Sequence, residues 1–448
     1  MRSKRATLWL AAVLLIAAGS AQAILPIQYW QTKSGARVYF VENHDLPMFD
    51  VSVEFPAGAS FDSKEKSGAA SMANQLLRLG IEGMNEDEIA RKLADVGAEV
   101  SGSFDTDRAG VALRTLSSRD ERGQALDVFA RILQRPVFPE DVLGREKVRL
   151  VAALKEADTK PDTIAALTFY RLVYRDHPYA LRSSGEVETV QRLARQDLVD
   201  FYRDRYTAQH AVVALIGDLS REEAAAIAEQ ITEGLPRDDR AELGLPPVSA
   251  LSAAATRVIA HPATQSHILI GAPGIRRDDP DYFPLLVGNY VLGGGGFVSR
   301  ITEEVRQQRG LAYSAYSYFS PLKQQGPFVI GMQTRREQVQ EALKVVHDTL
   351  REFLANGPTE QELKAARQNL IGGFPLRIDS NSKIHGYLAL IGFYRLPLTY
   401  LDDFVKNVEQ VTVADIRSAF ARRLDPDRMV TVVVGAAEDS PVATQTGN

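Results

Sequence analysis

The stretch from Val291 to Tyr318, VLGGGGFVSRITEEVRQQRGLAYSAYSY, predicts a short helix followed by a sharp turn into a strand. Four glycines precede the helix, whose apolar residues recur on one face: Phe297, Val298, Ile301 and Val305. Gly310 is placed to end the helix, and the residues after it alternate as those of a strand do. Arg306 therefore lies just before the bend and Tyr313 just after it.

Arg306 and Tyr313 allow two interpretations. A guanidinium and a phenol that converge on one point can stabilise negative charge developing on an oxygen. The same residues can also be a solvated helix residue and a half-buried strand residue, because single polar side chains on half-exposed elements are common. The spacing by itself favours this second, structural interpretation.

Length and composition limit the class of protein. The chain has 448 residues, a net charge of −5, 45% hydrophobic residues and no cysteine. This length predicts two to four domains, each large enough to bury a core. The mildly acidic balance argues against a dedicated nucleic-acid-binding protein. Without cysteine the chain has no disulfide, no thiol nucleophile and no cysteine metal site.

Residues 1–23 have the three regions of a secretory signal peptide. Arg2, Lys4 and Arg5 form the positive region, residues 8–19 are apolar, and Ala21-Gln22-Ala23 is a small-x-small cleavage site. An uncleaved membrane anchor is the alternative, but the apolar region is shorter than the ~20 residues that span a bilayer. No later segment has the pattern of a membrane span. We therefore expect cleavage after Ala23 and export to a bacterial periplasm.

The remainder of the chain repeats a plan. Residues 197–217 match residues 415–435. In this match Asp197 corresponds to Asp415, Tyr202 to Phe420, and Gly217 to Gly435. Residues 51–56 match residues 268–273 at nearly the same offset. The sequence therefore predicts a duplicated unit of roughly 200 residues.

The halves are predicted as 24–235 and 257–438, joined by a proline-containing linker at 236–256 and followed by a disordered tail at 439–448. Each half mixes strands and helices without regular βαβ alternation. This pattern favours an α+β class in which each half is a sandwich of a mixed or antiparallel sheet with helices on one face.

Short motifs in both halves resemble those of a known family. They are Pro56-Ala-Gly, Ser67-Gly68 at the start of a helix, Leu292-Gly-Gly-Gly, and Arg306 with Tyr313 within R-G-L-A-Y-S. With the duplication, they make the whole mature chain resemble the pitrilysin/insulinase family of zinc metallopeptidases, which includes the mitochondrial processing peptidases. The resemblance implies paired α/β domains that enclose a peptide chamber.

The zinc motif of that family is degenerate in this sequence. Active members carry H-x-x-E-H on the first helix, where two histidines bind zinc and the glutamate is the general base. Counting from Ser67-Gly68, these positions are Ser71, Asn74 and Gln75. Serine and carboxamides are poor zinc ligands, and an amide cannot take a proton from water at neutral pH.

The third zinc ligand of the family is a glutamate on a later helix. Counting back from Pro161, the corresponding pair is Ala152-Ala153. Glu146 and Glu156 are nearby but out of register, and we interpret both as exposed helix carboxylates. None of the seven histidines is followed by another at i+3 or i+4. We therefore expect no metal in this chain.

The resemblance changes the interpretation of Arg306 and Tyr313. It implies that they correspond to the Arg/Tyr pair that active members direct at the scissile carbonyl or the oxyanion. Some bacterial members divide the work between two chains, one with H-x-x-E-H and one with Arg/Tyr. This sequence has the parts expected of the second kind, so its expected partner is a homologous H-x-x-E-H subunit that holds the zinc, and its expected substrates are peptides.

Two other functions remain open. The chain can be a scaffold or peptide-binding pseudoenzyme, as in the core subunits of respiratory complexes, and Arg306 would then be dispensable. A self-sufficient peptidase with a different metal site is poorly supported by the available ligands.

Overall fold

The computed structural model describes residues 26–237 and 244–435. The predicted signal peptide (1–23), the predicted tail (439–448) and the middle of the predicted linker (238–243) lie outside these residues. Within the described ranges, none of the helices combines the length and the apolar character needed to cross a bilayer.

The front half mixes strands and helices. Its strands are β1 (Gln28–Gln31), β2 (Arg37–Glu42), β3 (Met48–Phe55), β4 (Gly80–Ile81), β5 (Met84–Asn85), β6 (Glu99–Phe104), β7 (Ala109–Leu116) and β8 (Val212–Gly217). Its helices are α1 (Ala69–Leu76), α2 (Glu86–Asp95), α3 (Arg119–Gln134), α4 (Glu140–Ala157), α5 (Pro161–Tyr174), α6 (Val187–Arg192), α7 (Arg195–Arg205) and α8 (Arg221–Thr232). Local signals set several of these bounds: Asn85 and Glu88, for example, form a capping box at the start of α2.

The rear half follows the same order. Its strands are β9 (Ala255–Ile259), β10 (Gln265–Pro273), β11 (Ala312–Phe319), β12 (Pro327–Arg335) and β13 (Val430–Val434). Its helices are α9 (Tyr282–Asn289), α10 (Arg300–Thr302), α11 (Val339–Asn356), α12 (Glu360–Gly373), α13 (Asn381–Tyr394), α14 (Asp403–Gln410) and α15 (Val413–Arg423). Two π-helical turns, Tyr290–Gly294 and Glu303–Gln307, flank α10.

The two sheets have the same topology. The front order is β1-β2-β8-β3-β7-β6 and the rear order is β9-β13-β10-β12-β11, so each rear strand has a front counterpart and β1 is additional. In each sheet one pair is parallel, β2 with β8 and β9 with β13, and the other neighbours are antiparallel. The predicted fold class and duplication are confirmed. Strand β9 begins at Ala255, inside the segment predicted as a linker.

The halves exchange one helix each. Helix α5 of the front half packs on β10 and β13 of the rear sheet, and α13 of the rear half packs on β8 and β3 of the front sheet. Phe169 of α5 and Leu388 of α13 are fully buried in these contacts. They belong to one apolar core that also contains Ala214 of the front sheet and Ile270 of the rear sheet. Each sheet therefore carries its own helices on one face and a helix of the other half on the opposite face.

A buried carboxylate joins the two halves. Asp107, in the turn between β6 and β7, has no exposed surface. Its oxygens accept hydrogen bonds from the Tyr179 hydroxyl (2.7 Å), the Tyr394 hydroxyl (2.9 Å) and the Lys323 backbone N–H (2.7 Å). Tyr179 belongs to the front half, whereas Tyr394 and Lys323 belong to the rear half. Burial raises the pKa of Asp107, and these three donors offset the unfavourable transfer of its charge from water.

Replacing Asp107 should destabilise the whole chain. In Asp107→Ala the three donors lose their acceptor inside the protein, and each unsatisfied buried donor costs about 1–3 kcal/mol. We expect the free energy of unfolding to fall by about 3 kcal/mol or more in urea titrations. Asp127→Ala is the control, because that carboxylate is 61% exposed on α3. Equal urea midpoints for the two variants would refute the role of Asp107.

Candidate functional site

The predicted corner between helix and strand is present in the rear half. Helix α10 continues into the π-helical turn Glu303–Gln307, and Gly310, with φ +61°, ends the segment as predicted. The Leu311 N–H donates to Val305 O at 2.8 Å, and the Thr302 hydroxyl donates to Ala315 O at 3.0 Å. These bonds fix the helical segment against β11, so the positions of the side chains on either side of the bend are coupled.

Tyr313 lies at a β-bulge. Ala312 is opposite Thr334 and Ser314 is opposite Gln333, so Tyr313 is the extra residue of β11 and has no partner on β12. A bulge twists a strand locally and redirects the side chain of the extra residue. The side chain of Tyr313 is 77% exposed, although the neighbouring Ala312 is buried.

Arg306 lies between two aromatic rings. Its guanidinium carbon is 4.6 Å from the ring centroid of Tyr313 and 4.6 Å from that of Phe297. Both distances are in the range of a cation–π contact. The Gln307 side-chain amide donates to Phe297 O at 2.7 Å and thereby holds the second ring in place. The sequence did not reveal this arrangement, because it depends on the path of the chain between residues 296 and 299.

The prediction that Phe297 and Val298 share the buried face of the helix is wrong. They are 63% and 72% exposed, whereas Ile301 and Val305 are buried as predicted. Residues 296–298 form a separate 3-10 turn, and the helix begins only after Ser299. A helical projection from Val305 back to Phe297 therefore crosses a break in the helix.

The glycine run brings the backbone close to β11. A Cβ atom on Gly293 would lie 2.4 Å from the Ser317 hydroxyl oxygen, so only glycine fits there. Two hydrogen bonds join the same Ser317 to Asn289. The Asn289 amide donates to Ser317 O at 2.9 Å, and the Ser317 hydroxyl donates to Asn289 Oδ1 at 2.7 Å. These contacts support the strand that carries Tyr313.

Arg306 and Tyr313 keep their hydrogen-bond donors available. Among the described residues, none forms a hydrogen bond or ion pair with the Arg306 guanidinium or the Tyr313 hydroxyl. The guanidinium is orientated by the two rings and not by a carboxylate. This arrangement can donate to an oxygen that gains negative charge.

The side chains at the degenerate motif of α1 have structural partners. Asn74 is buried, and its amide donates to Gly110 O at 2.9 Å and to the Tyr206 hydroxyl at 3.4 Å. The Gln75 amide donates to Glu146 Oε2 at 2.9 Å. Ser71 is partly buried on the same helix. These groups bind other parts of the fold, and an amide nitrogen is neither a zinc ligand nor a base.

A second buried carboxylate supports the start of α1. Asp62 accepts hydrogen bonds from the Gly68 and Ala70 N–H groups at 2.7 and 2.8 Å. Burial raises the pKa of Asp62 to about 7, against the lowering effect of these two bonds.

The interpretation of Glu146 as an exposed carboxylate is wrong. Glu146 is buried and accepts hydrogen bonds from Arg145, Arg149 and Gln75. Its spacing from the buried Leu143 and Leu154 places it on the inner face of α4. The spacing of these apolar residues can be read from the sequence, and it could have identified Glu146 as a buried residue. Glu156 is exposed and pairs with Lys160, as predicted for a solvated residue.

Ala152 and Ala153 are exposed residues of α4. No contact in the described structure tests their predicted correspondence to the third zinc ligand, which stays a prediction. Because Glu146 faces α1, the residue two helical turns later, Ala153, lies on nearly the same side of α4. Ala152 is turned away by about 100° from Ala153.

The described residues contain no group of three or more His, Cys, Asp or Glu side chains placed to hold a metal ion. No hydrogen bond or ring contact in the described part of the chain links Arg306 or Tyr313 to the α1 positions. The two sets therefore belong to separate places in the fold.

Two protein-family models match this chain. The model described as insulinase (peptidase family M16) matches residues 37–185, and the model described as peptidase M16 inactive domain matches residues 192–370. The first match contains the degenerate motif of α1, and the second contains Arg306 and Tyr313.

Individual relatives match over most of the chain. A protein of Helicobacter pylori named "Non-peptidase homolog YmxG" is 27% identical and aligns with 85% of this chain and 87% of its own length. The crystal structure of a peptidase M16 inactive domain from Pseudomonas fluorescens is 38% identical, with a TM-score of 0.89 over 92% of this chain and 98% of that one. The structure of a Helicobacter pylori protease shares the fold at 20% identity, with a TM-score of 0.84 over 92% of this chain and all of that one.

Restoring the zinc-motif residues on α1 should create a zinc site only when the third ligand is placed at residue 153 and not at residue 152. We expect the triple variant Ser71→His, Asn74→Glu, Gln75→His to bind zinc weakly, because a third ligand is absent. Adding Ala153→Glu should raise the zinc content after dialysis toward one ion per chain, since three protein ligands form an open zinc site. Adding Ala152→Glu in its place is the matched control, and mass spectrometry of the metal content measures both. A higher zinc content with Ala152→Glu would show that the predicted face of α4 is wrong.

Proposed function

The chain belongs to the M16 peptidase family, and we propose that within this family it is the zinc-free subunit of an exported heterodimeric metallopeptidase. Its partner is a homologous subunit with H-x-x-E-H, and its substrates are peptides. Its halves are the domains 24–235 and 257–438, connected by residues 236–256. Export to the periplasm rests on the signal-peptide pattern of residues 1–23.

The contrast between the two candidate sites carries the proposal. In the front half, Asn74 and Gln75 use their amides in hydrogen bonds to Gly110 and Glu146, so this helix has no ligand or base to offer. In the rear half, Arg306 and Tyr313 are orientated by packing and have no hydrogen-bond acceptor among the described residues. Of the two pairs, Arg306 and Tyr313 are therefore the one whose hydrogen-bond donors are available to a ligand.

In the proposed heterodimer, each subunit supplies a different part of the catalytic site. The partner would supply the zinc, which activates water for attack on a peptide carbonyl. Arg306 and Tyr313 would donate hydrogen bonds to the carbonyl oxygen as it gains charge, and such donors act best when they are held in place before the reaction. The contacts of Arg306 with the rings of Phe297 and Tyr313 supply this orientation without neutralising its charge.

The zinc-free part of the proposal has support from the family. The matched rear domain is described as inactive, and a relative is named a non-peptidase. The same relative favours a second candidate function, a non-catalytic scaffold or peptide-binding pseudoenzyme. In that case the partner would hydrolyse peptides without help from Arg306.

Substituting the pair tests the catalytic role. With the H-x-x-E-H partner present, Arg306→Ala and Tyr313→Phe should each lower kcat for a fluorogenic peptide by about 10²–10³-fold, the usual effect of losing one oxyanion donor. Assembly, measured by analytical ultracentrifugation, should be unchanged because neither donor has a structural hydrogen bond.

The matched controls are Arg309→Ala, which removes an exposed arginine paired with Glu304, and Tyr29→Phe, which removes an exposed phenol of the front half. Both should keep wild-type kcat. Unchanged kcat in Arg306→Ala and Tyr313→Phe would favour the scaffold function.

A further inference from the structure

Two His-Pro pairs of the sequence fold into the same turn. His177-Pro178 and His261-Pro262 are the only His-Pro pairs in the chain, and the internal repeat does not relate them. In each turn the backbone N–H that follows the proline donates to Nδ1 of the histidine, from Tyr179 at 3.1 Å and from Ala263 at 3.1 Å. Because a backbone N–H can only donate, Nδ1 carries no proton in either ring.

Nε2 of each ring binds a distant segment of the chain. Nε2 of His177 donates to Pro246 O at 2.9 Å, and Nε2 of His261 donates to Thr159 O at 2.9 Å. A carbonyl oxygen can only accept, so Nε2 must carry the proton of the ring. Both turns therefore require a neutral histidine in one tautomer.

The two bonds lie at opposite ends of α5, the helix that packs on the rear sheet. Thr159 lies in the turn before α5, and the His261 that binds it follows β9 of the rear half. His177 follows α5, and Pro246 lies in the segment that connects the halves. One His-Pro turn therefore holds each end of the helix that crosses from the front half to the rear half.

A second proton on either ring would disrupt its turn. A proton on Nδ1 would point at the backbone N–H that donates to it in the neutral form, so two donors would face each other. The ring then has to turn away, and Nε2 is displaced from its carbonyl. Because Nε2 is protonated in both forms of the ring, the response to pH comes from Nδ1.

Backbone groups occupy both ring nitrogens of His177. The titratable groups packed around this ring or close to it are two phenols, a carboxylate bound to one of them, and an exposed ion pair: Tyr174, Tyr179, Asp107, Lys64 and Asp176. Burial lowers the pKa of His177, and the hydrogen bond to Pro246 opposes this effect without cancelling it. The folded chain therefore favours the neutral ring.

Charges of both signs surround His261. They are Arg336, Asp162 and the exposed pair Glu156 and Lys160, and His267 is a further titratable group. The Arg336 guanidinium donates to His261 O at 2.8 Å and to Ala263 O at 2.9 Å, so it holds the turn and opposes a positive charge on the ring. Burial lowers the pKa of His267, while Asp162 raises it and His261 lowers it.

We propose that the two His-Pro turns form a proton-sensitive clamp on α5. At neutral pH the clamp holds the turn between α4 and α5 and the segment around Pro246, and in mildly acidic solution it releases both. The shared apolar core and the contacts of Asp107 do not use these rings, so the halves stay together while their junction becomes more mobile. The proposal does not rest on the proposed function.

The direction of the pH dependence follows from His177. Because burial lowers its pKa in the folded chain, the unfolded chain takes up the proton first as the pH falls below about 6.5. The contribution of the clamp to stability is therefore complete above about pH 6.5 and decreases as the pH falls toward the folded-state pKa of His177.

The protonated nitrogen of each ring can be measured directly. Nitrogen-15 NMR spectra of the chain labelled at histidine distinguish the two tautomers, and the signals are assigned by their loss in His177→Gln and in His261→Gln. At about pH 7.5 we expect both rings to carry the proton on Nε2. A proton on Nδ1 of either ring at that pH would overturn the proposal, whatever the stability of the variants.

Hydrogen exchange measured by mass spectrometry reports the release. Between about pH 7.5 and about pH 5.0, after correction for the intrinsic exchange rate, residues 157–160 and 244–251 of the wild-type chain should lose protection by about tenfold, the effect of losing one or two hydrogen bonds. In the double variant His177→Gln, His261→Gln, these residues should be equally protected at the two pH values, because glutamine does not titrate.

His44→Gln is the matched control. The His44 ring bonds to Glu42 and Asp218 of the front half, so it titrates without contact with either end of α5. This variant should keep the wild-type loss of protection. Equal protection of the wild-type chain at both pH values, or a loss that persists in the double variant, would overturn the proposal.

Discussion

Each half of the chain leaves one face of its sheet without helices of its own, and the other half supplies the helix that covers it. Helices α5 and α13 make this exchange, and one apolar core results that contains residues of both sheets. The hydrophobic contribution of these faces depends on both halves being present, since burial is what stabilises apolar surface. Asp107 adds a directional constraint, because its three donors come from both halves. The two units therefore share one core, and the front half has a second apolar core of its own.

The same unit has diverged in its two copies. In the front copy, the polar side chains of α1 contribute to packing through Gly110, Tyr206 and Glu146. In the rear copy, the π-helical turn and the bulge at Tyr313 hold a guanidinium and a phenol on the surface, with their donors available. Irregular backbone of this kind is common at functional sites. A role as a cooperating subunit depends on this difference between two copies of one fold.

Local features of the structure were predictable from the sequence. The capping box at Asn85, the helix end at Gly310 and the buried strand β8 follow from residue type and spacing within a few positions. The internal repeat predicted the second sheet from the first. The spacing of Arg306 and Tyr313 did not indicate a functional role. That role was inferred from the resemblance to the family.

Features that depend on distant parts of the chain were not predictable. The exchange of α5 and α13 joins segments that lie far apart in the chain, and the bulge at Tyr313 exists only in register with β12. The exposure of Phe297 follows from a break before Ser299 that a helical projection does not detect. Glu146 is different, since its apolar neighbours on α4 had already indicated a buried face.

The most direct test of the central claim is peptide hydrolysis by three samples: this chain alone, an exported H-x-x-E-H homologue alone, and the two mixed at equal concentration. The proposed division of labour predicts turnover only in the mixture, with loss of turnover when a chelator removes zinc. Chelator-sensitive hydrolysis by this chain alone, or full activity of the homologue without it, would contradict the account.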